Sequence, residues 1–482
     1  MIENQKIKWV YGLSALFIAL NALFIVKEFY WLSLLPVIII IILLALVSLD
    51  KLMFLIVFLT PFSIQLEELD FDIGVALPTE PLMFGVMILF FIKLFYEKKI
   101  DHKVLNHPVT LVIIFSLLWT FITSVTSEMP LVSFKFFISN LWFIVCFYFI
   151  AIQLFKNYSN IKRFFWMYMI PLTIVIIYTI IHHSFFNFEH KPAHWVMTPF
   201  FKDHTSYGAI LVMFFPVLFL FFKNKYSNTI RLLVTIVFLI FTSGILLSYT
   251  RAAWISLIVA FGLFFVYMLR IKFRTLLAVF ALLAGLFFAL KSEIVMKLEK
   301  NRQESSNDIS EHVQSISNIT SDASNLERIN RWEAAFRMFE ERPVFGWGPG
   351  TYAFLYAPFQ LSKEITIIST NAGDMGNAHS EYIGPLAEQG LLGSLSFLLI
   401  LISVYYCGSK LYFKLTDKDS KQIVLVVLLG LTTYFVHGTL NNFLDTDKAS
   451  VPFWGFIAIL TAMDIYHSKE KTLSPSSEEK QV

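Results

Sequence analysis

The string HSEYIGPLAEQGLLG sets His379 and Ser380 ahead of a nine-residue gap that ends at Gly390, with Gly393 after two more residues. Histidine titrates close enough to neutrality to take a proton from a hydroxyl, which makes His379 the candidate general base. Arginine carries a permanent charge on a planar fork of donors that fits phosphate oxygens. Arg251, in SYTRAAWISL, is the first candidate to meet such an anion, and Arg328, in ERINRWEAAFRMFEERPVFGWGPG, is the second. Arg331, one turn further along the same predicted helix, can substitute for Arg328. Glu388 at first sight partners the histidine. The intervening residues, at about 100° each, set it on the opposite face of a regular helix, and Pro385 disturbs that helix further, which leaves a supporting or structural role. FGWGPG reads as a turn rather than an anion cradle, because the strand, helix and lysine of a nucleotide loop are missing. No Asp-x-Asp pair adjoins His379, the DTD at 445–447 is remote and no His/Cys spacing fits zinc, so no metal and no other cofactor is expected.

The elements that must position these residues are apolar. Of the 482 residues 57% are hydrophobic and 15% charged, with a mean hydropathy of +0.67; soluble domains carry about 45–50% apolar and about 25% charged residues. Runs such as WLSLLPVIIIIILLALVSL lack the alternation of a barrel, so the fold class is all-α: a polytopic transmembrane helical bundle of 12 to 14 spans. Candidate spans begin near residues 9, 30, 52, 80, 108, 136, 163, 205, 230, 252, 274, 391, 422 and 451, and the one near 52 is short and holds Pro61. Lys6 and Lys8 precede an apolar run too long for a cleaved signal peptide, which reads as an uncleaved first span. Cys146 and Cys407 lie inside apolar runs, against disulfides and thiolate metal sites, and a net charge of +3 gives no argument for nucleic acid. The basic clusters YEKKIDHK, KNYSNIKR, KNKYSN and RIKFR fall on one side of the predicted topology and QLEELDFD on the other, so both termini are expected in the cytoplasm.

This topology divides the chain into an N-terminal bundle of about 11 spans at 1–290, a large periplasmic or external loop at 291–390 with short amphipathic helices, C-terminal transmembrane helices at 391–467 and a cytoplasmic tail at 468–482. Within the loop, residues 301–325 form a polar, Ser/Asn-rich insertion. Leu326, Ile329, Trp332, Phe336 and Phe339 then recur at helical spacing, with Ser324 or Asn325 as N-cap and Pro343 beyond the end. That spacing predicts an amphipathic helix lying on the outer membrane surface.

The His379 string resembles the His-(Asn/Ser/Gln)-x9-Gly-x-x-Gly signature of the O-antigen ligase and O-antigen polymerase superfamily, a pattern met by chance in roughly 1% of chains of this length. SYTRAAWISL is similar to that family's Ser-Arg-Gly-Ala-Trp segment, with Ala252 in place of the glycine, and ERINRWEAAFRMFEERPVFGWGPG is similar to its Arg-x3-Trp, Pro and Gly-x-Gly run. The resemblance covers residues 200–410 well and the first 200 only in hydropathy. It implies a metal-independent glycosyltransferase that takes a glycan from an undecaprenyl diphosphate-linked donor at the outer face of the bacterial plasma membrane, among membrane lipids. The acceptor is a hydroxyl of lipid A-core, another glycan or a protein. On this resemblance His379 activates the acceptor, Arg251 and Arg328 or Arg331 clamp the diphosphate, and Ser380, Glu388, Gly390 and Gly393 support them. A single displacement inverts the anomeric carbon. Lys202, His204, His437 and Asp445 are expected on the same side and are candidates for an acceptor pocket. Ligase is the favoured reading, with polymerase and protein O-oligosaccharyltransferase as alternatives. A polysaccharide transporter or flippase, of a different class, is disfavoured because the spans carry few interior charges.

Overall fold

The computed structural model describes residues 2–66, 74–97, 101–222, 227–272, 323–362 and 376–468, with isolated positions from 274 to 285. The insertion up to residue 322 and the tail from 469 lie outside the described residues. Residues 1–56 form one compact unit and residues 57–482 another.

The first unit holds α1 (Ile2–Val26), α2 (Leu35–Val47) and most of α3 (Leu49–Leu59). Ser33 donates to Asn21 Oδ1 at 2.9 Å, tying the segment before α2 to α1. No residue of α2 is buried. Such an apolar surface is stable in hydrocarbon and not in water.

The second unit opens with a short antiparallel hairpin, β1 (Ile64–Gln65) and β2 (Ala76–Leu77), which sets Ile64 opposite Leu77. Then come α4 (Thr79–Glu97), α5 (Pro108–Val125), α6 (Pro130–Leu154), α7 (Tyr158–Ser184), α8 (His204–Phe221), α9 (Asn228–Leu247), α10 (Arg251–Met268), α11 (Ala323–Glu341), α12 (Gly384–Lys414), α13 (Lys418–His437) and α14 (Asp447–His467). Counting Ile7–Val26, eleven helices among the described residues are long and apolar enough to cross a membrane. The chain is an all-α integral membrane protein. The stretch near 30 yields a shorter apolar helix, Leu32–Val47. The stretch near 52 contracts to α3 and a 3-10 turn at Thr60–Phe62, because Pro61 cannot continue the helical ladder. The span expected near 274 falls largely outside the described residues.

Most helix starts have a visible cause. Asp203, Ser227 and Asp417 accept a backbone N–H two or three residues into α8, α9 and α13, and Pro130 stands at the head of α6. At the centre, α13 packs against α8, α10, α12 and α14. Contact is close where side chains are small: a Cβ on Gly430 would come within 2.6 Å of Met213 O and 2.7 Å of the Phe456 ring.

One feature departs from expectation. α12 begins at Gly384, inside the segment expected to be loop, and breaks at Gly390, whose φ of 67° and ψ of −167° are not helical. The break frees three carbonyls, and each is taken: Trp347 N donates to Ala387 O (3.1 Å), Gly348 N to Glu388 O (2.7 Å) and Trp119 Nε1 to Gln389 O (2.9 Å). In return Leu391 N donates to Pro343 O at 3.0 Å. The turn from Pro343 to Gly350 therefore replaces the helical ladder that Gly390 interrupts.

α11 buries the face that does not carry the aromatic stripe. Glu327, Asn330, Arg331, Ala334, Ala335 and Met338 are buried, whereas Phe336 is 40% exposed. Trp332 and Phe339 are half-buried, and the side chain of Leu326 lies outside the described residues. Ala334 and Ala335 let α11 approach its neighbours closely, so the aromatic stripe is turned outward.

A Cβ on Gly390 would sit 2.2 Å from Val344 O. Gly390→Ala should therefore cost more than about 2 kcal/mol, since backbone strain and a backbone clash add. Thermal unfolding in detergent checks this, and an unchanged midpoint contradicts the close approach.

Candidate functional site

His379 lies just before α12 in the left-handed region, at φ 49°, where a branched or bulky side chain is strained. Its amide donates to Asn377 Oδ1 at 3.0 Å. Ser380 holds the turn that leads into α12: its Oγ accepts from Tyr382 N (3.2 Å) and Ile383 N (3.3 Å). Glu381, which sequence reasoning missed, is the anchor. Its amide donates to Gly438 O at 2.8 Å, and its Oε1 accepts from Tyr434 Oη (2.7 Å), Phe443 N (2.8 Å) and Leu444 N (3.0 Å). Burial pushes the Glu381 pKa up to about 7 against the pull of these donors. The His379 segment is thereby bolted to the loop between α13 and α14.

Three further segments bring charge to this place. Arg328, on α11, is half-buried and donates from Nε to Leu440 O at 3.1 Å. Burial and then the charge of Arg251 hold its pKa below the usual arginine value, with Asp203 opposing. Arg251 is the first residue of α10, and its neighbour Thr250 donates to His204 O at 2.8 Å, which fixes the start of α10 beside the start of α8. Arg331 sits deeper. Its Nε donates to Glu327 Oε1 at 2.7 Å, its guanidinium lies 4.0 Å over the Tyr356 ring, and a Cβ on Gly376 would come within 2.3 Å of its Nη1. It thus supports the strand of chain leading into His379.

The imidazole of His379 responds to this field. Burial lowers its pKa to about 4; Arg328 and Arg331 add to the shift, while Asp203 and Glu327 oppose it. At neutral pH the ring is neutral and holds a free lone pair. Asp203 caps α8 by accepting from Ser206 N and Thr205 Oγ1, both at 2.7 Å. Burial raises its pKa, but those bonds and His204 outweigh burial and keep the carboxylate ionised.

The acceptor-pocket candidates divide into two groups. His204 and His437 share Asp203 and Arg328 as electrostatic neighbours with His379, and His437 is 1% exposed with its Nε2 unbonded among the described residues. Lys202 and Asp445 are exposed at the rim and interact with each other. Two histidines of the loop before α8 join them: His194 stacks edge-on against His204 with ring centroids 4.1 Å apart, and His190 lies 5.3 Å from His194. Their spacing in sequence fits no motif, so nothing in the string EHKPAHW marked them. Glu388 is turned elsewhere, its Oε1 accepting from Tyr352 N at 3.0 Å. Gly390 and Gly393 shape the break in α12 rather than touching the histidine; a Cβ on Gly393 would lie 2.3 Å from that of Gln389.

A family model described as O-Antigen ligase matches residues 235–398. Over this segment the chain is similar to the O-antigen ligase family. The matched region includes Arg251, Arg328, Arg331 and the whole HSEYIGPLAEQGLLG string, and excludes Lys202, His204, His437 and Asp445. A Haemophilus influenzae protein described as uncharacterized is 25% identical over 305 residues, covering 62% of this chain and 72% of the relative. The similarity to the O-antigen ligase family supports an enzyme of the membrane glycosyltransferase type.

Because all three donors to Glu381 converge on one oxygen, an amide can serve in its place. Glu381→Gln should stay within about 1 kcal/mol of the parent, whereas Glu381→Ala leaves two amides and a hydroxyl unbonded and should cost more than about 3 kcal/mol. Paired unfolding midpoints test this, and equal losses in both variants contradict it.

Proposed function

We propose that this protein transfers a glycan from undecaprenyl diphosphate to an acceptor hydroxyl, of lipid A-core or a similar glycan, at the outer face of the inner membrane. The observation that carries the reading is the meeting of Arg251, Arg328 and His379, from three separate segments, around Asp203. His379 removes the acceptor proton, and the oxygen bonds to the anomeric carbon on the face opposite the leaving group. The bond from that carbon to the diphosphate oxygen breaks, and the diphosphate departs with the electron pair, neutralised by Arg251 and Arg328. The anomeric centre inverts. No cofactor takes part in this scheme. The basic clusters at the other end of the helices, around Lys156 and Lys414–Lys421, support an external position for the site.

The field explains how such a base is regulated. Before the donor binds, the buried imidazole is a weak base. Burial is the larger cause of its low basicity, but a diphosphate anion seated on Arg328 cancels that arginine's share, so basicity rises when the donor is bound. The acidic limb of kcat/KM, which reports the free enzyme, should lie near the depressed value of about 4. The limb of kcat should move toward the ordinary histidine value of about 6.5. Superimposable limbs in the two profiles count against this coupling.

His379→Ala should lower kcat by about 10²–10⁴-fold with the fold intact, and Arg251→Ala and Arg328→Ala should weaken donor binding. Purified protein incubated with synthetic undecaprenyl diphosphate-glycan and candidate acceptors reads both effects. Undiminished transfer by His379→Ala sinks the proposed base.

A further inference from the structure

A cavity of about 530 Å³ opens where the C-terminal ends of α10 and α12 meet the first turns of α13. It lies at the opposite end of these helices from Arg251, Gly384 and His437. Its lining combines the cations Arg270 and Lys421, the amide of Gln422, and the rings of Tyr267, Tyr412 and Phe413. The proposed glycosyl transfer uses none of them.

Two details show that the cations are placed rather than merely present. Arg270 takes the left-handed position that closes α10, at φ 53°, with its amide donating to Tyr267 O (3.3 Å) and Ile271 N donating to Val266 O (3.0 Å). Glycine occupies that position without strain; here an arginine bears the strain and lines the cavity. Lys421 holds its ammonium 5.5 Å over the Tyr412 ring. The wall behind them is rigid, because Tyr267 Oη and Ser409 Oγ share a hydrogen bond of 2.6 Å between α10 and α12, and the Tyr267 and Tyr412 ring centroids stand 5.0 Å apart. Asp417, the N-cap of α13, accepts from Ser420 N at 2.8 Å, and Asp419 also stands in that first turn.

We propose that this cavity binds the phosphate headgroup of an anionic phospholipid. Arg270 and Lys421 meet the phosphate oxygens, Gln422 bonds the headgroup, and the Tyr412–Phe413 edge lies along the first acyl carbons. A soluble phosphate would have no use for that aromatic wall. The position, at the ends of membrane-crossing helices, is where a bilayer presents such headgroups.

Native mass spectrometry of the purified full chain with equimolar phosphatidylglycerol and phosphatidylcholine tests the site. The parent should retain phosphatidylglycerol preferentially. Arg270→Gln with Lys421→Gln should weaken that binding roughly thirty-fold, at about 1 kcal/mol per basic residue near the surface. Arg270→Gly removes the cation while relieving the backbone strain, so it provides a stably folded comparison and should weaken binding by itself; Arg270→Lys should retain most of it. Equal retention of the two lipids, parent-like binding by the double variant, or displacement of the lipid by millimolar inorganic phosphate would each overturn the proposal.

Discussion

Inside a bilayer a broken helix has no water to satisfy its backbone, so every group released at a kink must find a partner in the protein. The break at Gly390 imposes that constraint on α12, and the rest of the site follows from how it is met. Trp347 and Gly348 supply amides and Trp119 an indole to the freed carbonyls of residues 387–389. Those partners bring the turn after α11 and the end of α5 to one point. A Cβ on Gly348 would lie 1.9 Å from Ser127 Oγ, so the turn can fit only with glycine there. The motif's glycines and its histidine thus do different things: the glycines build the break, and the break presents the histidine.

The second organising force is electrostatic. Arg251 and Arg328 repel one another, yet the fold holds them together with Asp203 as their nearby counter-charge. Such an arrangement is stabilised by an added anion, while burial, helped by Arg328 and Arg331, keeps His379 neutral. Arg331 contributes to this field from behind, engaged by Glu327 and Tyr356. Its place in the proposed anion clamp is therefore subordinate to that of Arg328, although the two lie on the same helix.

How far the site was legible depended on the range of the interaction. His379, Arg251 and Arg328 stood out because each belongs to a short string with its own chemistry. Glu381 lies inside the most informative of those strings and still passed unnoticed, since its three partners are at 434, 443 and 444. The amphipathic stripe of α11 was legible as a helix period, whereas the buried face of Glu327, Asn330, Arg331 and Met338 depends on partners far along the chain. His190 and His194 have no periodicity at all, and only their contact with His204 reveals them.

The sequence by itself determined that this is a helical membrane protein and singled out His379 and the first arginines as candidates, because run length, hydropathy and short motifs are local properties of the chain. Tertiary structure alone decided that α12 begins before its kink, that Glu388 holds a turn rather than the histidine, and that Arg331 stands behind Arg328. It also decided the protonation state of His379. Each of these depends on burial and on charges brought together from positions between 203 and 379, and electrostatic energy in a low-dielectric interior is set by distance in space rather than by order along the chain.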